Sequence, residues 1–354
     1  MAKKIAVIPG DGIGVEVIDE GLKLLQKLQQ AQLIDVDYDV FNYNADRWLS
    51  EDKGIDAAQV QQLKDDYDAI YFGALGDPRI ADSAHARQIL LTLRFDLELF
   101  ANIRPVKLYS RALSPLKLGD DQDIDIVIIR ENTEDLYRGI GGSFKTDTVD
   151  EIAIDERIHS YKGVKAIIEF AFDYAAKNGR KKVTLVDKDN AIVHGGRLWA
   201  RVFKEVREKY PDIAHDYMHV DVAAMRMVSE PEGFDVIVTS NMFGDILSDI
   251  GAGIVGGLGL LASANVNPDS TSLFEPVHGS APDIVGSGTA NPMAAFVTLS
   301  MLLNHIGYVE VAAAIDKVVL DCINQGYTTV DLGGQYSTKQ VGDRVTGKTL
   351  ACFA

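Results

Sequence analysis

Apolar positions along the chain follow two alternating rhythms. Short apolar runs, KKIAVI, DAIYFGA, DIDIVIIR, KKVTLVD and DVIVTS, read as strands. Amphipathic stretches such as EVIDEGLKLLQKLQQ lie among them, with their apolar residues at helical spacing. Helical patterns also cover residues 159–178 and 196–209. This alternation argues for an α/β architecture. Near residue 100 the pattern breaks, where ELFANIRPVKLYSRALSPLK gathers two prolines and several cations. Such a segment marks a crossing between domains. A Gly-rich zone at 251–259 would be the return crossing. The expected organisation is one discontinuous domain, 1–99 plus 252–354, with residues 100–251 inserted as a second. Residues 139–155, GIGGSFKTDTVDEIAID, are Gly-rich and then alternate, as a hairpin arm would.

Composition narrows the function by exclusion. The 354 residues suffice for two domains and a large core. A hydrophobic share of 47% and a charged share of 25% are those of an ordinary globular protein. The net charge of −17 argues against nucleic acid as a partner. An anionic substrate would need cations gathered locally. Cys322 and Cys352 are the only cysteines, which leaves no disulfide framework and no zinc pattern. GAGIVGGLGLLASANV and ANPMAAFVTLSMLL fall short of a membrane span. The apolar run in MAKKIAVIPG is too short for a signal peptide, so the expected compartment is the cytoplasm.

The candidate chemistry begins at NMFGDILSD, residues 241–249, directly after FDVIVTS. On a helix, Asp245 and Asp249 share one face, one turn apart. Two such carboxylates repel unless a cation sits between them, and Mg²⁺ or Mn²⁺ prefers carboxylate oxygens. A solvated helix start is the plain alternative. Arg94, Arg104 and Arg130 form a second signal. An arginine closing an apolar run, as Arg130 does, is costly to bury unpaired. Three arginines can clamp two carboxylates, or simply pair with the many acids here. PGDGIG, residues 9–14, sits between a strand and a helix, where a phosphate or ribose can approach the backbone. Its spacing is not the G-x-G-x-x-G of a Rossmann loop, and a tight turn without chemistry remains open.

The segments PGDGIG, LRFDLELFANIRP, RENTEDLY, DKDN, VDVAAM, NMFGDILSD, FEPVHGSAPDI and TANP occur in order through nearly the whole chain. Together they resemble the β-decarboxylating dehydrogenases, the family of isopropylmalate, isocitrate, homoisocitrate and tartrate/malate dehydrogenases. The resemblance implies a two-domain α/β fold with a mixed central sheet, not a Rossmann fold. It also implies a homodimer whose active sites borrow residues across the interface. Arg94, Arg104 and Arg130 then match the clamp for the malate moiety. Asp221, Asp245 and Asp249 match the ligands of Mg²⁺ or Mn²⁺. Tyr137 and Lys188 match the acid–base pair, with Asn190 near nicotinamide and substrate. Lys188 and Asp221 would come from the partner subunit.

The same resemblance makes HGSAPDIVG an adenosine-binding loop, with Glu275, His278, Gly279, Asp283, Ile284 and Asn291 around the cofactor. Asp283 would accept hydrogen bonds from ribose hydroxyls and repel a 2′-phosphate, so NAD is expected over NADP. Arg87, Leu90, Leu91 and Arg94 share one helix face. The leucine pair resembles the pocket for an isopropyl group, which makes 3-isopropylmalate the first substrate. Arg87 stands where isopropylmalate enzymes usually carry Glu, and an Arg there could meet a third carboxylate. Isocitrate or homoisocitrate, and tartrate or malate, are therefore the alternatives. A non-catalytic regulatory subunit and a generic Mg²⁺-dependent phosphate-binding enzyme are readings from other classes. The first would usually have lost part of the Lys, Tyr and Asp set. The second leaves the arginines and Asp283 without a role.

Overall fold

A computed structural model describes residues 2–119 and 122–354. The chain opens with β1 (Lys3–Gly10), α1 (Ile13–Gln30), β2 (Val36–Val40), α2 (Ala45–Glu51), α3 (Ala57–Asp66), β3 (Ala69–Ala74) and α4 (Ala84–Asp96). Next come β4 (Ala101–Lys107), β5 (Asp125–Glu131), β6 (Gly141–Phe144), β7 (Ile152–Asp155), α5 (Tyr161–Lys177), β8 (Lys182–Asp187) and α6 (Val193–Arg207). Then β9 (Ala214–His219), α7 (Val220–Ser229), β10 (Val236–Thr239) and α8 (Asn241–Val255) follow. The chain ends with β11 (Ala262–Val266), β12 (Ser272–Pro276), α9 (Met293–His305), α10 (Val309–Asn324) and α11 (Thr338–Ala351).

Two compact units emerge. The first is Met1–Leu99, Lys107–Lys117 and Ala252–Ala354, and the second is Phe100–Val106 and Leu118–Gly251. The segment Lys107–Lys117, expected with the inserted middle, therefore groups with the first unit. Local contacts explain the shift: Ser114 Oγ donates to the Ile254 carbonyl at 2.7 Å. A Cβ on Gly256 would lie 2.8 Å from Leu113 Cβ, so the two backbones approach closely there.

In the first unit the strand order is β2-β1-β3-β12-β11. Its strands run parallel except for the antiparallel pair β11–β12, which makes this sheet mixed. One core joins Ile8, Ile70 and Phe72 to Ile89 and Leu93 of α4 and to Leu97 at its end. That packing fixes the helix that carries Arg94. On α9 every residue from Met293 to Ser300 is buried, which explains the continuous apolar run there. Among the described residues no helix is long and apolar enough to cross a membrane.

In the second unit the order is β4-β5-β10-β8-β9, with β5, β10, β8 and β9 parallel. α5 buries Val164, Ile167, Ile168, Ala171, Phe172 and Ala175, an unbroken helical stripe, against Val127, Val183 and Val236. Each Val, Ile and Phe side chain among them contributes roughly 1.5–3 kcal/mol on burial. Ser160 caps this helix, accepting from the Gly163 N–H at 2.9 Å. β6 and β7 form an antiparallel hairpin within residues 139–155, and Phe144, Ile152 and Ile154 on it are exposed.

Candidate active site

β5 and β10 run side by side with Arg130 opposite Thr239, and α8 starts two residues beyond Thr239. This places the end of β5 over the first turn of α8. Arg130, 1% exposed, spans the gap. Its Nε and Nη2 donate to Asn241 Oδ1 at 3.0 and 2.7 Å, and its Nη1 to Asp245 Oδ1 at 2.5 Å. Gly244 makes the passage possible, because a Cβ there would lie 2.5 Å from Arg130 Cγ. Arg104, on β4, lies 3.2 Å from Asp245 Oδ1 and donates to Ser248 Oγ at 2.6 Å and Asn102 Oδ1 at 2.8 Å. Tyr137 Oη donates to Asp245 Oδ2 at 2.7 Å, and its ring lies under the Arg130 guanidinium. Arg104, Arg130, Tyr137 and Asp245 thus form one hydrogen-bonded knot.

Asp249 lies one helical turn beyond Asp245 and is exposed. Partial burial and the neighbouring Asp245 carboxylate raise its pKa, while Arg104 and Arg130 pull it down. Among the described residues no side-chain partner engages it. A carboxylate left uncompensated beside another carboxylate fits a divalent cation.

A second pair stands at the other edge of the same sheet. β8 and β9 run parallel with Asp187 opposite His219, so the residues that follow them emerge together. Lys188 Nζ sits 2.5 Å from Asp221 Oδ1, and the Lys188 ammonium holds the Asp221 carboxyl below its usual range. Asn190, two residues on, is exposed. Among the described residues no three acidic, His or Cys side chains of this chain are grouped to hold a metal. Asp221 therefore does not join Asp245 and Asp249 within one chain.

The remaining candidates belong to the first unit. Arg94 is buried, and its Nη2 donates to Glu275 Oε1 at 3.0 Å, an oxygen that also accepts from Asn265 Nδ2 at 2.9 Å. Glu275, expected along the cofactor wall, is thus the counter-charge that lets Arg94 be buried. Arg94 Nε is buried without a partner, a donor free for an anion. Leu90 and Leu91 are half-buried. Arg87 is exposed and donates to the Asp82 carbonyl at 2.9 Å, within its own loop.

Asp283 and Ile284 sit exposed on a single turn, Pro282–Ile284, with Gly279 exposed before it. Gly286 N–H donates to Glu16 Oε1 at 2.7 Å, which ties this loop to the start of α1. His278 Nδ1 faces the Gly279 carbonyl at 3.0 Å, and its Nε2 is buried without a partner. Burial pushes the His278 pKa down, which favours the neutral ring. Asn291, expected around the cofactor, already uses both ends of its amide. Nδ2 donates to Asp331 at 2.9 Å, and Oδ1 accepts from Met293 N–H at 3.0 Å.

PGDGIG is a turn built for close approach. Gly12 has φ +56°, and a Cβ there would lie 2.2 Å from the Ser280 carbonyl oxygen, which accepts from Ile13 N–H at 2.9 Å. The glycine loop and the 278–286 loop are therefore in direct contact. Asp11, which went unnoticed in the motif, is the buried anchor. It accepts from Ala45 and Gly76 N–H at 2.7 and 2.9 Å and faces His85 Nε2 at 2.8 Å. Asn241, Ser248 and Asn102 were also missed, because only the fold sets them beside the arginines. Asp135 was missed too. It is fully buried, with φ +67°, and holds Arg157 and the Met242 N–H, pinning the turn that presents Tyr137.

Residues 4–345 match the family model described as isocitrate/isopropylmalate dehydrogenase. The chain belongs to that family. A protein of Thermobifida fusca (strain YX) named 3-isopropylmalate dehydrogenase is 43% identical over 344 residues, which is 97% of this chain and 96% of that protein. One of the same name from Bifidobacterium longum (strain DJO10A) is 43% identical over 352 residues, 98% of this chain and 100% of that protein. The crystal structure of isocitrate dehydrogenase from Methylococcus capsulatus superposes with a TM-score of 0.88 at 36% identity, covering 98% of this chain and 99% of that one. Members of the family are dehydrogenases that oxidatively decarboxylate hydroxy acids, and this chain is an enzyme of that class.

Proposed function

We propose that this enzyme catalyses the NAD-dependent oxidative decarboxylation of 3-isopropylmalate, with Mg²⁺ or Mn²⁺, as a homodimer in the cytoplasm and as a step of leucine biosynthesis. The observation that carries the site is the convergence of Arg104, Arg130 and Tyr137 on Asp245. Arg104 and Arg130, with Arg94 and its open Nε, bind the two carboxylates of the malate moiety. Lys188 from the second copy takes the C2 hydroxyl proton, and Tyr137 returns a proton to C3 after CO₂ leaves. Asp245 and Asp249 of one copy and Asp221 of the other would hold the divalent ion, which supplies Lewis-acid polarisation at the C2 oxygen. Residues 278–286 would hold NAD, with Asp283 toward its ribose, and the cofactor would supply the acceptor for the C2 hydride. The exposed hairpin β6–β7 and Val222, Met225 and Val228 of α7 offer apolar surface for the second copy.

Isocitrate or homoisocitrate is the second reading. Arg87 favours it, since this exposed cation on α4 could turn toward a third carboxylate. The deciding experiment follows NADH formation with Mg²⁺ or Mn²⁺ on 3-isopropylmalate, isocitrate, homoisocitrate, D-malate and tartrate, using the purified chain alone. We expect 3-isopropylmalate to give the highest kcat/KM. Turnover of isocitrate alone would replace this reading, and no turnover on any substrate would favour a non-catalytic subunit.

A further inference from the structure

A groove of about 380 Å³ opens between α6 and the edge strand β9, in the second unit. Leu185 and Phe203 form its apolar floor, and Lys204, Arg207 and His215 stand around it. Lys204 and Arg207 are three residues apart on α6 and so share a face. Among the described residues neither cationic head has an ion-pair or hydrogen-bond partner. In a chain of net charge −17, an unpaired cation cluster is a local reversal of field. Neighbouring cations show the contrast: Arg201 pairs with Glu205 on the same helix, and Lys209 with Glu169. The groove's one acid among its lining residues, Asp216, accepts the N–H of Tyr217 at 2.8 Å and forms no ion pair with either cation. The His215 ring stands edge-on to Phe203, centroids 6.4 Å apart, so a flat apolar group has a wall to lie against.

The groove is wired to the Lys188–Asp221 pair. Tyr217, at its end, stands edge-on to the His219 ring, centroids 5.7 Å apart, and His219 Nε2 lies 2.9 Å from Asp189 Oδ1. Asp189 follows Lys188 directly, and His219 precedes Asp221 by two residues. Whatever moves Tyr217 therefore bears on the turn that sets the 2.5 Å Lys188–Asp221 contact.

We propose that this groove binds a diphosphate group, free or as the tail of a nucleoside diphosphate, and that its occupancy is transmitted through Tyr217, His219 and Asp189 to Lys188. Lys204, Arg207 and His215 meet the phosphate oxygens, while Phe203 lies against a base if one is attached. The volume lies at the small end of the range for small-molecule sites. The transmission half rests on the catalytic role proposed for Lys188, whereas the binding half does not.

The test is calorimetric titration of the whole protein, saturated with NADH to fill its dinucleotide site, with inorganic pyrophosphate and with ADP in parallel. We expect saturable binding, weakened at least about tenfold in Lys204→Ala/Arg207→Ala, with unchanged NADH affinity. Tighter binding of ADP identifies a nucleotide as the source, and equal or tighter binding of pyrophosphate identifies free diphosphate. No saturable binding of either, or equal binding by the double variant, overturns the site. With Mg²⁺ in excess of the chelating ligand, occupancy should change kcat by about 5-fold or more. Tyr217→Ala should bind pyrophosphate as the wild type does and lose that response. A wild type that binds diphosphate with unchanged kcat overturns the transmission. Binding is read without turnover, so failure of the catalytic reading leaves the binding result intact.

Discussion

Two charged clusters of the second unit share a sheet and differ in everything else. Around Asp245 each carboxylate oxygen is engaged, by Arg104 and Arg130 on one side and Tyr137 on the other, with Arg130 almost wholly buried. At Lys188 a single ion pair faces water, with the Asp221 side chain 62% exposed. Burying the first cluster is costly unless every donor finds an acceptor, so it is rigid and complete. The second contributes little to stability, because an exposed pair is screened and flexible. Its geometry comes instead from the register of β8 and β9. A pair that the fold positions but does not need is the kind of half-site a second copy can use.

The strongest way to break this comparison is to disable each cluster in separate chains. Lys188→Ala should lower kcat by about 10²–10⁴-fold while circular dichroism stays unchanged. Mixing and refolding it with an equally inactive Asp245→Asn chain should restore about a quarter of wild-type activity. That fraction follows because half the dimers are mixed and each then has one intact site. No recovery on mixing would mean that each chain builds its own site.

A second test weighs burial beside Arg130. Glu131 is buried, and loss of hydration pushes its pKa up to about 7 against the donors Thr133 and Glu134. Its folded pKa is raised, so its stabilising effect is full below the unfolded value near 4.5 and lost as pH rises through about 7. Urea unfolding should show stability falling by up to about 3 kcal/mol across that window, and Glu131→Gln should remove the slope. A wild type and variant with parallel pH profiles would refute this.

Asp249→Asn removes the one uncompensated carboxylate at the buried cluster. The Mg²⁺ concentration for half-activation should rise about 10–100-fold with little change in melting temperature. An unchanged metal requirement would place the ion elsewhere. The smallest effect sharpens the cofactor side. Asp283→Lys should narrow the preference for NAD over NADP by about tenfold, read as the ratio of kcat/KM values. A wild type that already uses both cofactors equally would remove the role given to Asp283.

The strands, the long helices and the Asp245–Asp249 pair were legible because each rests on local pattern. The stripe on α5 and the Asp245–Asp249 spacing need nothing beyond helical periodicity. The pairing of Glu275 with Arg94 was not legible because the two lie far apart in the chain, and a buried ion pair leaves no local trace. Asp11 was overlooked for the same reason. Its three partners, Ala45, Gly76 and His85, come from three separate segments. Lys107–Lys117 was assigned to the wrong unit because its proline and cations announce a crossing without saying which side keeps the segment.

By itself the sequence determined the α/β class, the family and the residue types that carry the chemistry, since these follow from periodicity and from motifs contiguous in the chain. Only the tertiary structure decided which charges meet. It set Arg104 and Arg130 on Asp245, gave Arg94 to Glu275, and left Lys188 and Asp221 paired apart from the other two aspartates. The physical reason is that ion pairing depends on distances of a few ångströms between remote segments, and strand order and register set those distances.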